Sequence, residues 1–226
     1  MRHLHALVGL SSVAVGILSL TLFSLPVQAE MYVAGQVGVS LPNSFSNVNG
    51  VGNNTGLTAS DLSLQNSVMY GAKLGYYFDS IKWLGIETEV FNSTPHLKQQ
   101  NVTVNPGAFN VNVTGQDVRV LNWAPINVVV RHQMGHFEPY AGVGLGLFFA
   151  QVKESQTGES SSSTSPGLNT QLGARYLVTK NVALFGEWKY NYASFNFSGS
   201  APTQATGGFE GNYSAHILAF GVGYHF

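Results

Sequence analysis

Two pairs of side chains in this sequence have the types and spacing that acid–base or nucleophilic chemistry requires. Glu87 and Glu89 lie two residues apart, and a pair of carboxylates is the arrangement that cleaves glycosidic bonds. Ser214 and His216 have the same spacing, with Glu210 the nearest acid in the sequence, and a serine nucleophile needs both a base and an orienting group. Each pair also has a simpler interpretation: ion pairing for the carboxylates, and two surface polar residues for the serine and the histidine.

Other residue types do not indicate a chemical centre. The chain has no cysteine, which excludes disulfides, thiolate nucleophiles and thiolate metal sites. The spacing of His96, His132, His136 and His225 is not that of metal ligands. A net charge of −1 gives no sign of a nucleic-acid footprint. We therefore predict no catalytic residues, no cofactor, no metal site and no nucleic-acid partner.

The N-terminal segment has the features of a secretory signal peptide. Arg2 supplies the positive charge, residues 6–25 carry no charge, and residues 26–29 place small side chains at the positions that a signal peptidase reads. We predict cleavage after Ala29. The alternative is a retained membrane anchor, because the uncharged run is nearly long enough to span a bilayer.

After the signal peptide the apolar residues recur with a period of two, which predicts β-strands rather than helices. Charged residues make up only 9% of the chain and aromatic residues 12%, while a mean hydropathy of +0.08 is too low for a bundle of membrane helices. Eight segments are predicted as strands: residues 31–40, 67–79, a third starting near Lys82, 116–131, 138–153, 168–178, 182–194 and 212–226.

The connections between these strands alternate in length. The short ones are residues 79–82, 132–137 and 179–181, and the long ones are residues 41–66, 92–115, 154–167 and 195–211. Outer-membrane barrels have short periplasmic turns and long external loops, and closure leaves no unpaired sheet edge in hydrocarbon. We predict an all-β fold for residues 30–226, an eight-stranded antiparallel up-and-down transmembrane β-barrel in a Gram-negative outer membrane, with both mature termini in the periplasm.

Two of the long connections have distinctive sequence patterns. Apolar residues alternate on both sides of Asn105-Pro106-Gly107, which predicts a hairpin that extends the third and fourth strands beyond the bilayer as a flap. Residues 160–165 are almost all serine and are predicted to form a mobile loop.

The last predicted strand separates large side chains from small ones. One parity carries Leu218, Phe220, Val222, Tyr224 and Phe226, and the other carries Ala219, Gly221, Gly223 and His225. The large apolar set must meet lipid, and the small set must face the lumen.

Aromatic side chains cluster near both ends of the predicted strands. Tyr76, Phe78, Trp83, Tyr140, Tyr176 and Phe226 lie near the short turns, and Trp188, Tyr190, Tyr192 and Tyr213 lie toward the long loops. Because amphipathic rings prefer membrane interfaces, these sets predict two girdles. The alternative is a soluble aromatic core, which would leave the charged strand residues harder to place.

Charged residues of the strands share the parity that faces the lumen. They are Lys73, Glu87, Glu89, Arg131, Arg175, Glu187 and Lys189. Arg131 and Asn127 belong to the set if the fourth strand keeps its parity past Pro125, a residue that can mark a bulge. A charge facing lipid would cost about 2–4 kcal/mol at mid-membrane. Four cations against three carboxylates therefore predict an ion-pair network that fills the lumen.

Three segments carry a resemblance to a known family. They are residues 139–146 (PYAGVGLG), 184–190 (LFGEWKY) and 220–226 (FGVGYHF). They resemble the small outer-membrane β-barrel proteins related to the OmpA transmembrane domain, within the porin-like superfamily. The resemblance implies that the barrel assembly machinery reads a C-terminal signal, formed by Phe220, Val222, Tyr224 and Phe226. It also implies contact with outer-membrane lipid and lipopolysaccharide.

The leading hypothesis for function is a non-enzymatic barrel with a membrane-structural or surface-contact role, a packed lumen, long extracellular loops and an unknown surface ligand. The first alternative is a narrow solute channel. The second is a lipid A-modifying enzyme, because Ser214 and His216 resemble part of the outward-facing Ser/His/Glu site of eight-stranded lipid A deacylases. The order here is Ser-x-His, whereas those enzymes have His-x-Ser.

Overall fold

The computed structural model describes residues 30–107, 109–113, 115–154, 160–197 and 208–226. The predicted signal peptide lies outside these residues. Their only helical element is one 3-10 turn, Gly52–Asn54, and none of their helices is long and apolar enough to cross a membrane.

Strands make up most of the described chain. In chain order they are β1 (Glu30–Pro42), β2 (Ser46–Val51), β3 (Thr58–Ala59), β4 (Ser67–Phe78), β5 (Ile81–Ser93), β6 (His96–Leu97), β7 (Gln100–Asn105), β8 (Phe109–Val113), β9 (Gln116–Arg131), β10 (Phe137–Glu154), β11 (Ser160–Leu177), β12 (Val182–Asn196) and β13 (Gly208–His225).

Eight of these strands close into a barrel. Antiparallel pairing runs β1-β4-β5-β9-β10-β11-β12-β13, and β13 pairs with β1 to complete the cylinder. The seam between β1 and β13 is continuous from Tyr32 opposite His225 to Pro42 opposite Ala215. The predicted eight-stranded antiparallel barrel is confirmed. Its amides are paired with neighbouring strands all round the wall, as hydrocarbon requires.

Side-chain exposure alternates along the barrel strands as the sequence predicted. On β13, Phe220 is 66% exposed and Val222 is 53% exposed, whereas Ile217 and Ala219, of the other parity, are buried. The same alternation puts valine, leucine and aromatic side chains outside on every barrel strand. The outer surface is therefore an apolar band, and it suits lipid rather than water.

The strand β9 changes its inward parity at Pro125. Its buried side chains are even-numbered up to Ala124 and odd-numbered from Asn127 onward. The register with β5 shifts at the same place, from Glu87 opposite Asn127 to Glu89 opposite Ala124. Such a bulge inserts an extra outward residue. The prediction required the strand to keep its parity past Pro125. Asn127 instead faces the lumen because the parity switches at this proline.

The short connections gather at one end of the barrel, the short-turn end, together with Glu30 and Phe226. At the opposite end, the long-loop end, β2, β3, β7 and β8 continue the sheet from β13 in the order β13-β2-β3-β7-β8. We call these four strands the cap sheet. The barrel is thus extended by folded structure at the long-loop end.

Two predictions about the long connections need correction. The hairpin exists, since Val102 pairs with Val111, but it forms β7 and β8 of the cap sheet and does not extend β5 and β9. The serine tract is not a loop: β11 begins at Ser160 and pairs with β10 as far as Lys153. The tract has the composition of a mobile segment, yet its backbone completes a ladder with a neighbouring apolar strand.

Candidate functional site

A cluster of five charged side chains fills the middle of the lumen. Lys73 Nζ lies 2.7 Å from Glu187 Oε2 and 3.4 Å from Glu87 Oε1. Lys189 Nζ lies 2.8 Å from Glu187 Oε1 and also contacts Glu89 Oε1. All five side chains are buried. We call this set the central ion cluster; it joins β4 and β5 to β12 across the barrel.

Neutral side chains complete the hydrogen bonding of these carboxylates. Tyr140 Oη donates to Glu187 over 2.7 Å, and Gln171 Nε2 donates to Glu87 over 2.9 Å. Tyr32 also donates its hydroxyl to Glu87. Buried charges are tolerated only when they are paired and hydrogen-bonded, and these contacts meet that condition.

A second charged layer lies at the short-turn end. Arg131 makes a two-pronged contact with Glu30, at 2.5 Å and 2.7 Å, and lies 3.2 Å from Glu138. Arg175 lies 3.7 Å from Glu138, and His225 Nδ1 lies 2.6 Å from Glu30. We call these five residues the rim ion cluster. Arginine is suited to this layer because its planar fork binds a carboxylate through two parallel hydrogen bonds.

Aromatic rings fill the space between the two clusters. The Arg131 guanidinium stands 3.6 Å from the centre of the Tyr77 ring, and that of Arg175 stands 4.5 Å from the Tyr32 ring. Tyr32 in turn stacks on Tyr77, with centroids 5.8 Å apart. Cations over ring faces gain further electrostatic stabilisation, so the tyrosines bind the layers together.

The structure places all seven charged residues singled out from the sequence inside the lumen: Lys73, Glu87, Glu89, Arg131, Arg175, Glu187 and Lys189. Sequence reasoning missed Glu30 and Glu138, so the two clusters hold five carboxylates rather than three against four cations. Glu138 could have been found, because it has the inward parity of its strand. Glu30 is the first residue of β1, and at the end of a strand the alternation of side chains does not show which side a residue faces.

Two tyrosines assigned to the aromatic girdles were misplaced. Tyr140 and Tyr213 are each 4% exposed and point into the lumen. Inside the lumen Tyr140 donates a hydrogen bond to Glu187, and Tyr213 packs against Phe195 with ring centroids 6.0 Å apart. The prediction considered only distance from the strand ends, whereas strand parity decides which side of the wall a ring occupies.

Beyond the central ion cluster, toward the long-loop end, the lumen becomes apolar. Barrel strands contribute Val118, Val120, Ala150, Val152, Phe195 and Tyr213, and segments of the long connections contribute Phe45, Leu62, Leu64 and Leu97. Together they surround a small chamber of about 40 Å³. The two halves of the lumen therefore have opposite chemistry.

The family follows from a match over most of the chain. The model of the outer membrane protein beta-barrel domain family matches residues 15–226. The chain belongs to this family. The match covers every strand described above, and it agrees with the closed all-β cylinder and with the resemblance inferred from the sequence.

Solved structures show the same outer-membrane barrel fold. Neisserial surface protein A is 19% identical, with a TM-score of 0.57 over 87% of this chain and 97% of that one. The outer membrane protein OprG from Pseudomonas aeruginosa is 17% identical, with a TM-score of 0.55 over 88% and 97% of the two chains. No curated protein sequence matches this chain significantly. At these identities the likeness concerns the fold alone.

The candidate nucleophile of this outer-membrane barrel is not assembled into a triad. Ser214 Oγ accepts a hydrogen bond of 2.9 Å from Asn43, while the His216 ring stacks on Trp188 with centroids 5.7 Å apart. Glu210 lies four residues before Ser214, which is about 13 Å along a strand. The three side chains thus make separate contacts, typical of polar residues near a membrane interface.

His96, His136 and the paired glutamates have structural partners. His96 Nδ1 lies 2.9 Å from Asp117, and His136 Nδ1 lies 2.8 Å from the carbonyl of Leu177. Glu87 and Glu89 are each paired with lysine in the central ion cluster. Among the described residues, groups of three or more His, Asp or Glu side chains able to hold a metal ion were not found.

Proposed function

We propose that this protein is a non-conducting outer-membrane barrel with a structural and surface-contact role. The observation that carries this proposal is the central ion cluster, in which side chains from opposite walls meet within 2.7–3.4 Å. A solute crossing the lumen would have to separate buried ion pairs. Separating them leaves uncompensated charges in a low-dielectric interior, which is strongly unfavourable.

The proposal places the short-turn end in the periplasm and the cap sheet at the cell surface. Its support is the difference between the two ends: tight turns at one, and five additional short strands at the other. Outer-membrane barrels carry their longer connections outside. In this orientation Trp188, Tyr190 and Tyr192 stand at the outer interface, where lipopolysaccharide is the neighbouring lipid.

A solute channel and a lipid A-modifying enzyme have less support. The channel requires a path that the two ion clusters occupy. The enzyme requires a base beside its nucleophile, whereas His216 stacks on Trp188 and Ser214 is hydrogen-bonded to Asn43. A role in which the barrel anchors the cap sheet at the surface needs none of these features.

Electrical recording in planar bilayers tests the non-conducting barrel. We expect the wild-type protein to give little or no steady current. The triple variant Lys73→Ala/Glu87→Ala/Glu187→Ala should conduct measurably more, because it empties the middle of the lumen while the pair between Lys189 and Glu89 remains.

The matched control is a triple alanine variant of the lipid-facing residues Val143, Leu145 and Leu172, which are 52–71% exposed. It should behave as the wild type does. A large steady current from the wild-type barrel would overturn the proposal. So would a triple lumen variant that conducts no more current than its control.

A further inference from the structure

The cap sheet ends in a strand with one open edge. The strands β2, β3 and β7 each pair with a strand on both sides, whereas among the described strands β8 pairs with β7 alone. Along its other side, the amide and carbonyl groups of β8 have no ladder partner within the described sheet. Such a row of backbone groups can pair with a further strand.

The strand β8 lacks the features that usually protect a sheet edge. Natural sheets place charged side chains, proline or a bulge at their edges. The sequence of β8, Phe-Asn-Val-Asn-Val, contains neither a charge nor a proline. Its register with β7 runs from Val113 opposite Gln100 to Phe109 opposite Val104 without a shift. A regular, uncharged edge of this kind is suited to strand pairing.

The two faces of β8 differ in side-chain chemistry. Asn110 and Asn112 share one face, and the Asn112 amide donates a 3.0 Å hydrogen bond to Asn101 of β7. The opposite face carries Val111, which is 41% exposed, although its neighbour Val102 on β7 is only 3% exposed. A strand added at the edge of β8 would cover this valine and extend the row of amides.

The sequence of β8 selects a second copy of the same strand as the partner. Val111 is the midpoint of the strand and has an asparagine on each side. In an antiparallel pair centred on Val111, this valine faces its own counterpart, and Asn110 of each copy faces Asn112 of the other. Both faces then match, and all five residues of each strand are paired. A shift by two residues would keep the faces matched but pair fewer residues.

We propose that two copies of this protein associate through antiparallel pairing of their β8 strands, which joins the two cap sheets around a twofold axis. Strand addition of this kind takes its affinity from main-chain hydrogen bonds. The contact between Asn112 and Asn101 within one chain is the amide contact that Asn112 would repeat with Asn110 of the second copy. A charged strand would find no counter-charge on β8, whereas an identical strand meets like groups on both faces.

This inference rests on the surface-contact part of the proposed function, because it names the partner of the cap sheet. It does not depend on the closed lumen. Pairing of two five-residue strands buries less area than a standard protein interface. We therefore expect an association that is weak in solution and increases with protein concentration.

Single cysteines in the purified, folded mature barrel test the pairing, since the chain has no cysteine of its own. Directly opposite residues of an antiparallel pair have Cβ atoms about 4.5–5.5 Å apart, close to the spacing in a disulfide. Val111→Cys should therefore form disulfide-linked dimers under mild oxidation in detergent, and faster at higher protein concentration.

The matched control is Val113→Cys, on the same face of the same strand. In the proposed register its counterpart lies four residues away, about 13 Å along the strand, so it should cross-link far more slowly. Maleimide labelling of both thiols corrects for any difference in their reactivity.

Charged substitutions combined with Val111→Cys test the register. Asn110→Lys/Asn112→Lys puts like charges opposite each other in both amide pairs and should suppress the cross-link, whereas Asn110→Asp/Asn112→Lys puts opposite charges there and should restore it. The control Asn53→Lys/Thr58→Lys adds the same charge at exposed positions outside β8 and should leave the rate unchanged. Heat-modifiable gel mobility shows that each variant is folded.

Three results would overturn the inference. If Val111→Cys cross-links no faster than Val113→Cys, the two copies meet by random collision. A cross-link that survives the double-lysine variant would place the contact outside β8. Loss of the cross-link in the variant with opposite charges would contradict the register. None of these results bears on conductance, so the current recordings decide the non-conducting role separately.

Discussion

Replacing Glu187 by glutamine should destabilise this barrel by about 3–5 kcal/mol, the usual consequence of breaking a buried ion pair from one side. Glu187 contacts both Lys73 and Lys189 and is the only carboxylate of the central ion cluster that contributes an oxygen within 3 Å to each of them. Its neutralisation would leave two buried ammonium groups with less compensation than they need. The change keeps the shape of the side chain, so packing is not the cause.

Equilibrium unfolding in urea from phospholipid bilayers, followed by tryptophan fluorescence, measures this effect. The matched control is Asp117→Asn, which removes the exposed pair with His96; exposed pairs contribute only about 0–1 kcal/mol. If Glu187→Gln and Asp117→Asn shift the midpoint equally, the central ion cluster does not hold the barrel together as described.

Deleting Phe226 should sharply reduce the amount of protein assembled in the outer membrane and leave unfolded chain in the periplasm. The Phe226 amide donates a 2.9 Å hydrogen bond to the carbonyl of Met31, and its ring packs against Tyr224 at 5.1 Å. The ring is 65% exposed on the outer surface, so it is available to another protein during assembly. We propose that the barrel assembly machinery is that protein.

Comparison of cells with purified protein distinguishes an assembly signal from a stability effect. Outer-membrane yield, scored by heat-modifiable gel mobility, should fall in cells, whereas the purified truncated chain should still refold in detergent. Phe226→Trp keeps a terminal aromatic ring and is the control expected to assemble. Normal outer-membrane yield from the truncated protein would contradict the proposed terminal signal.

Much of the barrel could be predicted because its side chains face lipid and lumen alternately along each strand. Lipid outside and a narrow lumen inside select opposite side chains at alternate positions, so Phe220 and Ala219 reveal their sides from the sequence alone. Lys73, Glu87 and Lys189 could be placed in the lumen on the same basis. Parity decides which side of the wall a residue faces, but it does not specify its partner across the lumen.

The features that sequence reasoning missed depend on contacts between distant strands. Tyr140 has the inward parity of its strand, but its partner Glu187 lies on another strand. The serine tract becomes a strand because β10 offers a ladder to pair with. The switch of parity at Pro125 was foreseen as a bulge, but its direction depends on how β9 aligns with β5. Composition and local pattern do not specify these partners on other strands.

A disulfide across the seam between β1 and β13 tests the closed outer-membrane barrel most directly. Ala34 is opposite Gly223, and a Cβ built at Gly223 would lie 3.6 Å from that of Ala34, within the range of about 3.5–4.5 Å found in disulfides. The chain has no cysteine of its own, and the periplasm is oxidising. Ala219 lies four residues from Gly223, about 13 Å along the strand, and provides the mismatched control.

The measurement is the mobility of boiled outer-membrane protein on gels with and without reductant. We predict that Ala34→Cys/Gly223→Cys forms the cross-link and migrates as a compact loop until it is reduced, while Ala34→Cys/Ala219→Cys stays open. Free thiols at both positions of the first variant in folded outer-membrane protein, or equal cross-linking of the two variants, would contradict the closed barrel.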